Sequence, residues 1–148
     1  MERAELIERL NDLIKLDVDA IEAYGQAVKH IKYDDIKQKL LDFQDDHKSH
    51  VGNLSALVRE FGGEPAKPSP DFKGYLIEGF TALRSITSTK GALEAMETNE
   101  KLTNKKYQEA ADQPFPSHVL KVVKSNLAQE ERHLDYIQDI LINTRHPL

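Results

Sequence analysis

Residues 44–51, QDDHKSHV, set two histidines one helical turn apart inside a stretch that otherwise buries aliphatic side chains. Before it, Ile36, Leu40 and Phe43 recur at intervals of three and four; after it, Val51, Leu54, Leu57, Val58 and Phe61 continue the stripe. That spacing marks an amphipathic helix, so His47 and His50 are predicted to face a core. Imidazoles on a buried stripe need partners for their nitrogens, because an unpaired polar group is costly to bury.

The same periodicity extends outward in both directions. Leu6, Leu10, Leu13, Ile14, Val18, Ile21, Tyr24, Val28 and Ile31 predict a first helix over about 3–32. QDDHKSHV belongs to a second, about 34–62, with Asp34 or Asp35 as its N-cap and FGGEP as its stop. Residues 63–88, punctuated by Gly63, Pro65, Pro68 and Pro70, read as a long crossover holding a short extra helix over about 71–86 with Asp71 as its cap. A third helix is predicted over about 89–111. After the break DQPFPS, a fourth over about 117–142 carries Val119, Val122, Val123, Leu127, Leu134, Ile137, Ile140 and Leu141, and the tail NTRHPL is expected to fray. No run alternates with the period of a strand. The chain, residues 1–148, therefore reads as one all-α domain: a four-helix bundle of two antiparallel hairpins joined by the crossover.

An internal repeat answers for the histidines. The offset of 83 residues that carries His50 onto His133 also carries Leu10 to Leu93, Leu13 to Met96, Tyr24 to Tyr107, Leu40 to Val123, Val51 to Leu134 and Leu54 to Ile137, without a gap. It carries Asp17 to Glu100 and His47 to Glu130 as well, so the polar residues interrupting one hairpin's stripe have metal-binding counterparts in the other. Asp17 and His47 lie about equally far from the turn near residue 32, as Glu100 and Glu130 do from residue 115. Within each pair, His47/His50 and Glu130/His133, the residues are three apart and share a helical face. All six side chains should meet midway along the bundle. Such a polar layer is costly unless something satisfies it, and two divalent cations would do so. Three carboxylates and three imidazoles suit iron, manganese or zinc, whereas magnesium and calcium prefer oxygen throughout.

At this point the sequence resembles the ferritin-like superfamily, in particular its rubrerythrin type, over about residues 3–142. In that type the first and third helices each give a carboxylate seven residues before a tyrosine, matched here by Asp17 with Tyr24 and Glu100 with Tyr107. The second and fourth helices each carry Glu-x-x-His; EERH (130–133) matches fully, HKSH (47–50) only at its histidine. FGGEP, the crossover and GALEAMETNE are similar in detail to an uncharacterised bacterial ferritin-like family, a domain of unknown function. The resemblance implies Asp17 and Glu100 as terminal ligands, Glu130 as the bridge, and His47, His50 and His133 as nitrogen donors. It adds Glu97, one turn before Glu100, as a further carboxylate. It also marks a departure, since the family has a bridging glutamate where this chain has His47, and a neutral imidazole offers one lone pair and holds one metal.

Composition sets the outer limits. With no cysteine, thiolate metal sites and disulfides are excluded, and there is no rubredoxin-like cluster, so electrons for any redox reaction must come from an external donor. A net charge of −5 with interspersed signs leaves no footprint for nucleic acid; MERAELIERL is charged from its second residue and no apolar run approaches 18 residues, so neither signal peptide nor membrane span is read and a cytoplasmic protein is expected. An outer helix face could support a homodimer. Tyr24 and Tyr107 are read as core aromatics able to donate a hydrogen bond to a ligand carboxylate or to metal-bound oxygen, with Asn104 and Asn126 as further hydrogen-bonding neighbours. Glu22, Asp45, Asp46, Glu94 and Glu131 are read as solvated, and His30, His118 and His146 as surface residues at helix ends or in the tail.

Two metal-based functions follow, beside a third reading as a metal-free helical interaction protein. In one, a di-iron pair reacts with dioxygen or peroxide as an oxidase or peroxidase. In the other, a non-catalytic or stress-associated bundle holds iron or zinc structurally or in sequestration, which the imidazole-rich set favours.

Overall fold

The computed structural model describes residues 1–67, 86–143 and 146–148. Among the described residues four helices run in the order α1 (Arg3–Ala27), α2 (Asp34–Glu60), α3 (Thr89–Ala111) and α4 (Ser117–Asn143), with a 3-10 turn at Val28–His30 closing α1. The short helix expected over about 71–86 and its Asp71 cap lie outside the described residues. Among the described residues no helix is long and apolar enough to cross a membrane.

Local chemistry sets the ends of these helices. Tyr33, in an extended conformation, is the N-cap of α2 and makes no side-chain capping bond. Asp34 and Asp35, expected as caps, instead occupy the first turn, where carboxylates complement the helix dipole. At the other end Gly62 N–H donates to Arg59 O and Gly63 N–H to Val58 O, both at 2.9 Å, with Gly62 at φ +82°. This is a Schellman stop, and its left-handed residue favours glycine. A Cβ on Gly63 would come within 2.8 Å of Ile7, so the second glycine lets α1 approach. Ser88 caps α3 by accepting from Gly91 N–H at 3.0 Å.

Long-range contacts orient the two hairpins. Leaving α2, the chain runs beside the start of α1, where Arg3 donates to Phe61 O and the Asn11 side chain exchanges bonds with Glu64 O and Ala66 N–H. By Thr89 it has reached the opposite end, where the Thr89 hydroxyl accepts from Lys32 N–H at 3.0 Å and lies 3.2 Å from His30 O. Thus α3 runs antiparallel to α1, and α1 pairs mainly with α2 while α3 pairs mainly with α4. In the tail, expected to fray, the described residues 146–148 pack against the start of α2: Tyr33 OH donates to Pro147 O, and the His146 ring stacks on Tyr33 at 4.0 Å.

The core divides into two apolar clusters. One gathers Tyr24, Ile36, Leu40, Phe43, Leu93, Met96 and Ile137; the other gathers Leu6, Leu10, Leu13, Leu54, Val58, Val119 and Val123. Between them lies a buried polar layer.

Candidate metal centre

Each helix contributes to that layer. Asp17 comes from α1, His47 and His50 from α2, Glu100 from α3, and Glu130 and His133 from α4; all six are at most 1% exposed. The repeat and the distances from the hairpin turns predict this meeting, and the structure brings the six together as two overlapping groups. Asp17, His47, His50 and Glu130 form one, and His47, Glu100, Glu130 and His133 the other, with candidate ligand atoms within 4.8 Å of one another in each.

The donors converge in a particular way. His47 Nδ1 lies 2.7 Å from Asp17 Oδ1 and 3.3 Å from Glu130 Oε1, while His50 Nδ1 is 3.1 Å from both of those oxygens. In the second group His47 Nε2 is 3.1 Å from Glu100 Oε1, and His133 Nδ1 is 3.4 Å from the same atom and 3.7 Å from Glu130 Oε2. Separations of about 3 Å are the edges of a coordination polyhedron whose bonds are about 2.0–2.2 Å long. Glu130 Oε1 and His133 Nδ1 are buried without a hydrogen bond, although donors and acceptors stand close by. His47 hydrogen-bonds to Asp17 and Glu100, and His50 to Asp17, whereas Glu130 Oε1 and His133 Nδ1 approach their neighbours without bonding; unpartnered donors in a buried carboxylate–histidine set fit a metal ion.

Outer contacts hold the donors in place. The His50 ring meets Gln129 Oε1 through Nε2 at 2.5 Å, and the His133 ring meets Asp46 Oδ2 through Nε2 at 2.8 Å, which turns both Nδ1 atoms inward. Tyr24 OH donates to Glu100 and Tyr107 OH to Asp17, each at 2.5 Å and each across the two hairpins. The Thr103 hydroxyl is within 3.1 Å of carboxylate oxygens of both Glu100 and Glu130. Asn104 donates to the backbone carbonyls of Glu100 and Glu130, tying α3 to α4, and Asn126 exchanges amide bonds with Asn53.

Some residues sit elsewhere than the sequence reading put them. Asp46, read as solvated, keeps its side chain 38% exposed but lays its carboxylate on His133. The repeat contains the signal, because Asp46 and Gln129 are themselves one offset apart. Thr103 was missed for the opposite reason: its counterpart is Ala20. Glu97 stands outside both groups, with its side chain 27% exposed and 3.9 Å from Lys101 Nζ. The inward stripe of α3 runs through Met96, Glu100 and Thr103, which leaves Glu97 on its flank beside Lys101. His118 pairs with Glu60 at the surface, and His146 pairs with Asp35 as well as stacking on Tyr33.

The charges are strongly coupled. Burial pushes the Asp17 carboxyl up, but hydrogen bonds and charge from His47 and His50 outweigh it and hold it below its usual value. Glu100 is held well below, with His133 and His47 outweighing burial. Glu130 is raised, because burial and the Glu100 charge exceed the help of the three imidazoles. Burial works against protonation of the histidines as well, yet the carboxylates lift His50 and His133 to about 9 and His47 well above its normal value. The cationic imidazoles and the carboxylates thus hold one another in the ion-free centre, and cations have to displace protons to enter.

Fold and centre together define an all-α four-helix bundle with a buried carboxylate–histidine layer able to hold metal ions. The chain belongs to the family described as Domain of unknown function (DUF2383), whose model matches residues 5–113. That span includes Asp17, His47, His50 and Glu100 and ends before α4. The chain is also 33% identical over 75 residues to Large ribosomal subunit protein uL29c of Phaeodactylum tricornutum, covering 46% of this chain and 93% of that protein. The centre draws on residues from Asp17 to His133, a longer span than this similarity covers.

Proposed function

We propose that this protein is a ferritin-like metal-binding bundle that holds two divalent cations between its hairpins, with iron or zinc as the leading candidates and manganese also compatible with the donors. The observation that carries the reading is the overlap of two buried four-residue donor groups on His47 and Glu130, with Glu130 Oε1 and His133 Nδ1 left without hydrogen bonds. Asp17 and His50 serve one cation, Glu100 and His133 the other. The outer bonds from Gln129, Asp46, Tyr24 and Tyr107 keep these side chains oriented, and the apolar clusters above and below exclude water. Elemental analysis of protein purified without added metal tests this. About two ions per chain, reduced in Glu130→Ala, is the expected result; no ion even after reconstitution would overturn it.

A second reading, in which an iron pair reacts with dioxygen or peroxide, is favoured by the two tyrosine hydroxyls on Glu100 and Asp17. Bound iron would supply the redox chemistry. The tyrosines would hold protons beside the terminal carboxylates, and the electrons would come from an outside donor. Rapid oxygen consumption on adding ferrous iron would support this reading, whereas metal uptake without turnover would leave a holding or sequestering role in the cytoplasm.

A further inference from the structure

His47 occupies the position that the repeat pairs with Glu130, and the structure shows it dividing its donors as a bridging carboxylate does. Nδ1 faces Asp17 at 2.7 Å and Glu130 Oε1 at 3.3 Å; Nε2, on the other side of the ring, faces Glu100 at 3.1 Å. The ring lies between those of His50 and His133, with centroids 5.6 and 5.2 Å away. Glu130 is divided in the same sense, Oε1 toward His50 and Oε2 toward His133.

We propose that His47 links the two cations as an imidazolate, with one ion on each ring nitrogen. The inference rests on the two-cation reading and replaces the single-metal role that a neutral imidazole would have. Charge argues for it. Three carboxylates leave one positive charge on a pair of divalent cations, and every donor is buried; an anionic His47 removes that charge without another ligand. In the step itself, the first cation replaces the proton on one nitrogen of the cationic ring and the second replaces the N–H proton on the other; both protons are released to solvent, and nothing is oxidised or reduced. With metal–nitrogen bonds of about 2.0–2.1 Å on opposite sides of the ring, the ions stand about 6 Å apart, wider than the roughly 3.5–4 Å of clamp-type pairs. The wider spacing suits holding ions better than trapping a small oxygen species between them.

The test is a crystal structure of the full chain, stripped of metal and loaded with two equivalents of zinc, with anomalous peaks located at the zinc edge. Two peaks about 6 Å apart, one on each nitrogen of His47, are expected. Two peaks under about 4 Å apart with His47 on only one of them, or a single peak, would overturn the bridge and leave metal binding standing. A chain that takes up neither zinc, iron nor manganese would overturn the two-cation reading with it. Copper(II) provides a second readout in solution. The electron paramagnetic resonance signal of the first equivalent should collapse when the second binds to the natural chain, and should persist in His47→Gln; collapse in both would overturn the bridge.

Discussion

The Tyr107 hydroxyl donates to Oδ2 of Asp17, which lies in the other hairpin, and Tyr24 reciprocates on Glu100. Each hairpin therefore supplies a donor that holds a buried carboxylate of the other hairpin. Tyr107→Phe leaves a buried carboxylate oxygen short of a partner, and a loss of about 1–3 kcal/mol is expected in the metal-free protein. Urea unfolding of Tyr107→Phe and Tyr24→Phe measures it, and two unchanged midpoints would show that these bonds contribute nothing.

Glu130 belongs to both donor groups, so its removal should affect both ions. Glu130→Gln keeps the shape and removes a carboxylate whose charge is already disfavoured by burial and by Glu100. Retained helicity with metal content reduced to at most one ion per chain is expected, read by circular dichroism and elemental analysis. Full occupancy in this variant would contradict a shared ligand.

The imidazoles govern the pH response. His50 and His133 are lifted from 6.5 to about 9 in the folded chain, so their contribution to stability is complete below about pH 6.5 and is lost as pH rises through about 9. Asp17 and Glu100 are depressed, so theirs is present above their ordinary values of 3.8 and 4.5 and is lost as pH falls through the lower folded values. The Tm of metal-free protein should therefore fall between about pH 6.5 and 9, while metal affinity rises over the same window as the imidazolium protons become easier to displace. Calorimetry and metal titration at matched pH values would check the opposite slopes.

Asp46 lays its carboxylate on His133 Nε2 at 2.8 Å and stands outside both donor groups, so in the two-cation reading it acts through that ring. Asp46→Ala is expected to weaken one of the two uptake steps about 10–100-fold, the usual cost of losing such an outer partner. Competition titration against a chelator reads each step, and equal weakening of both would place Asp46 in a general structural role.

Asp19 is buried with Oδ2 unbonded, and burial together with Glu22 lifts its carboxyl from 3.8 to about 7. The folded state binds this proton more tightly than the unfolded state, so ionisation destabilises the fold progressively between about pH 4 and 7. Asp19→Asn should raise Tm at pH 7.5 and have a smaller effect at pH 4, as thermal melts at the two values would show.

The sequence by itself determined the helices and the layer. Three-then-four spacing made each helix amphipathic, FGG and DQPFPS marked two of its breaks, and the offset between His50 and His133 placed six donors at one level; periodicity and chain length alone account for all of this. Only tertiary structure decided how the donors meet. Whether Asp46 reaches solvent or His133, whether Thr103 touches two carboxylates, and whether Glu97 faces in all depend on the rotation of each helix about its axis. Packing between neighbours sets that rotation, and no single helix records it. The two faces of His47 were hidden for the same reason: a residue letter carries both nitrogens, and only the packed bundle assigns each to a different set of carboxylates.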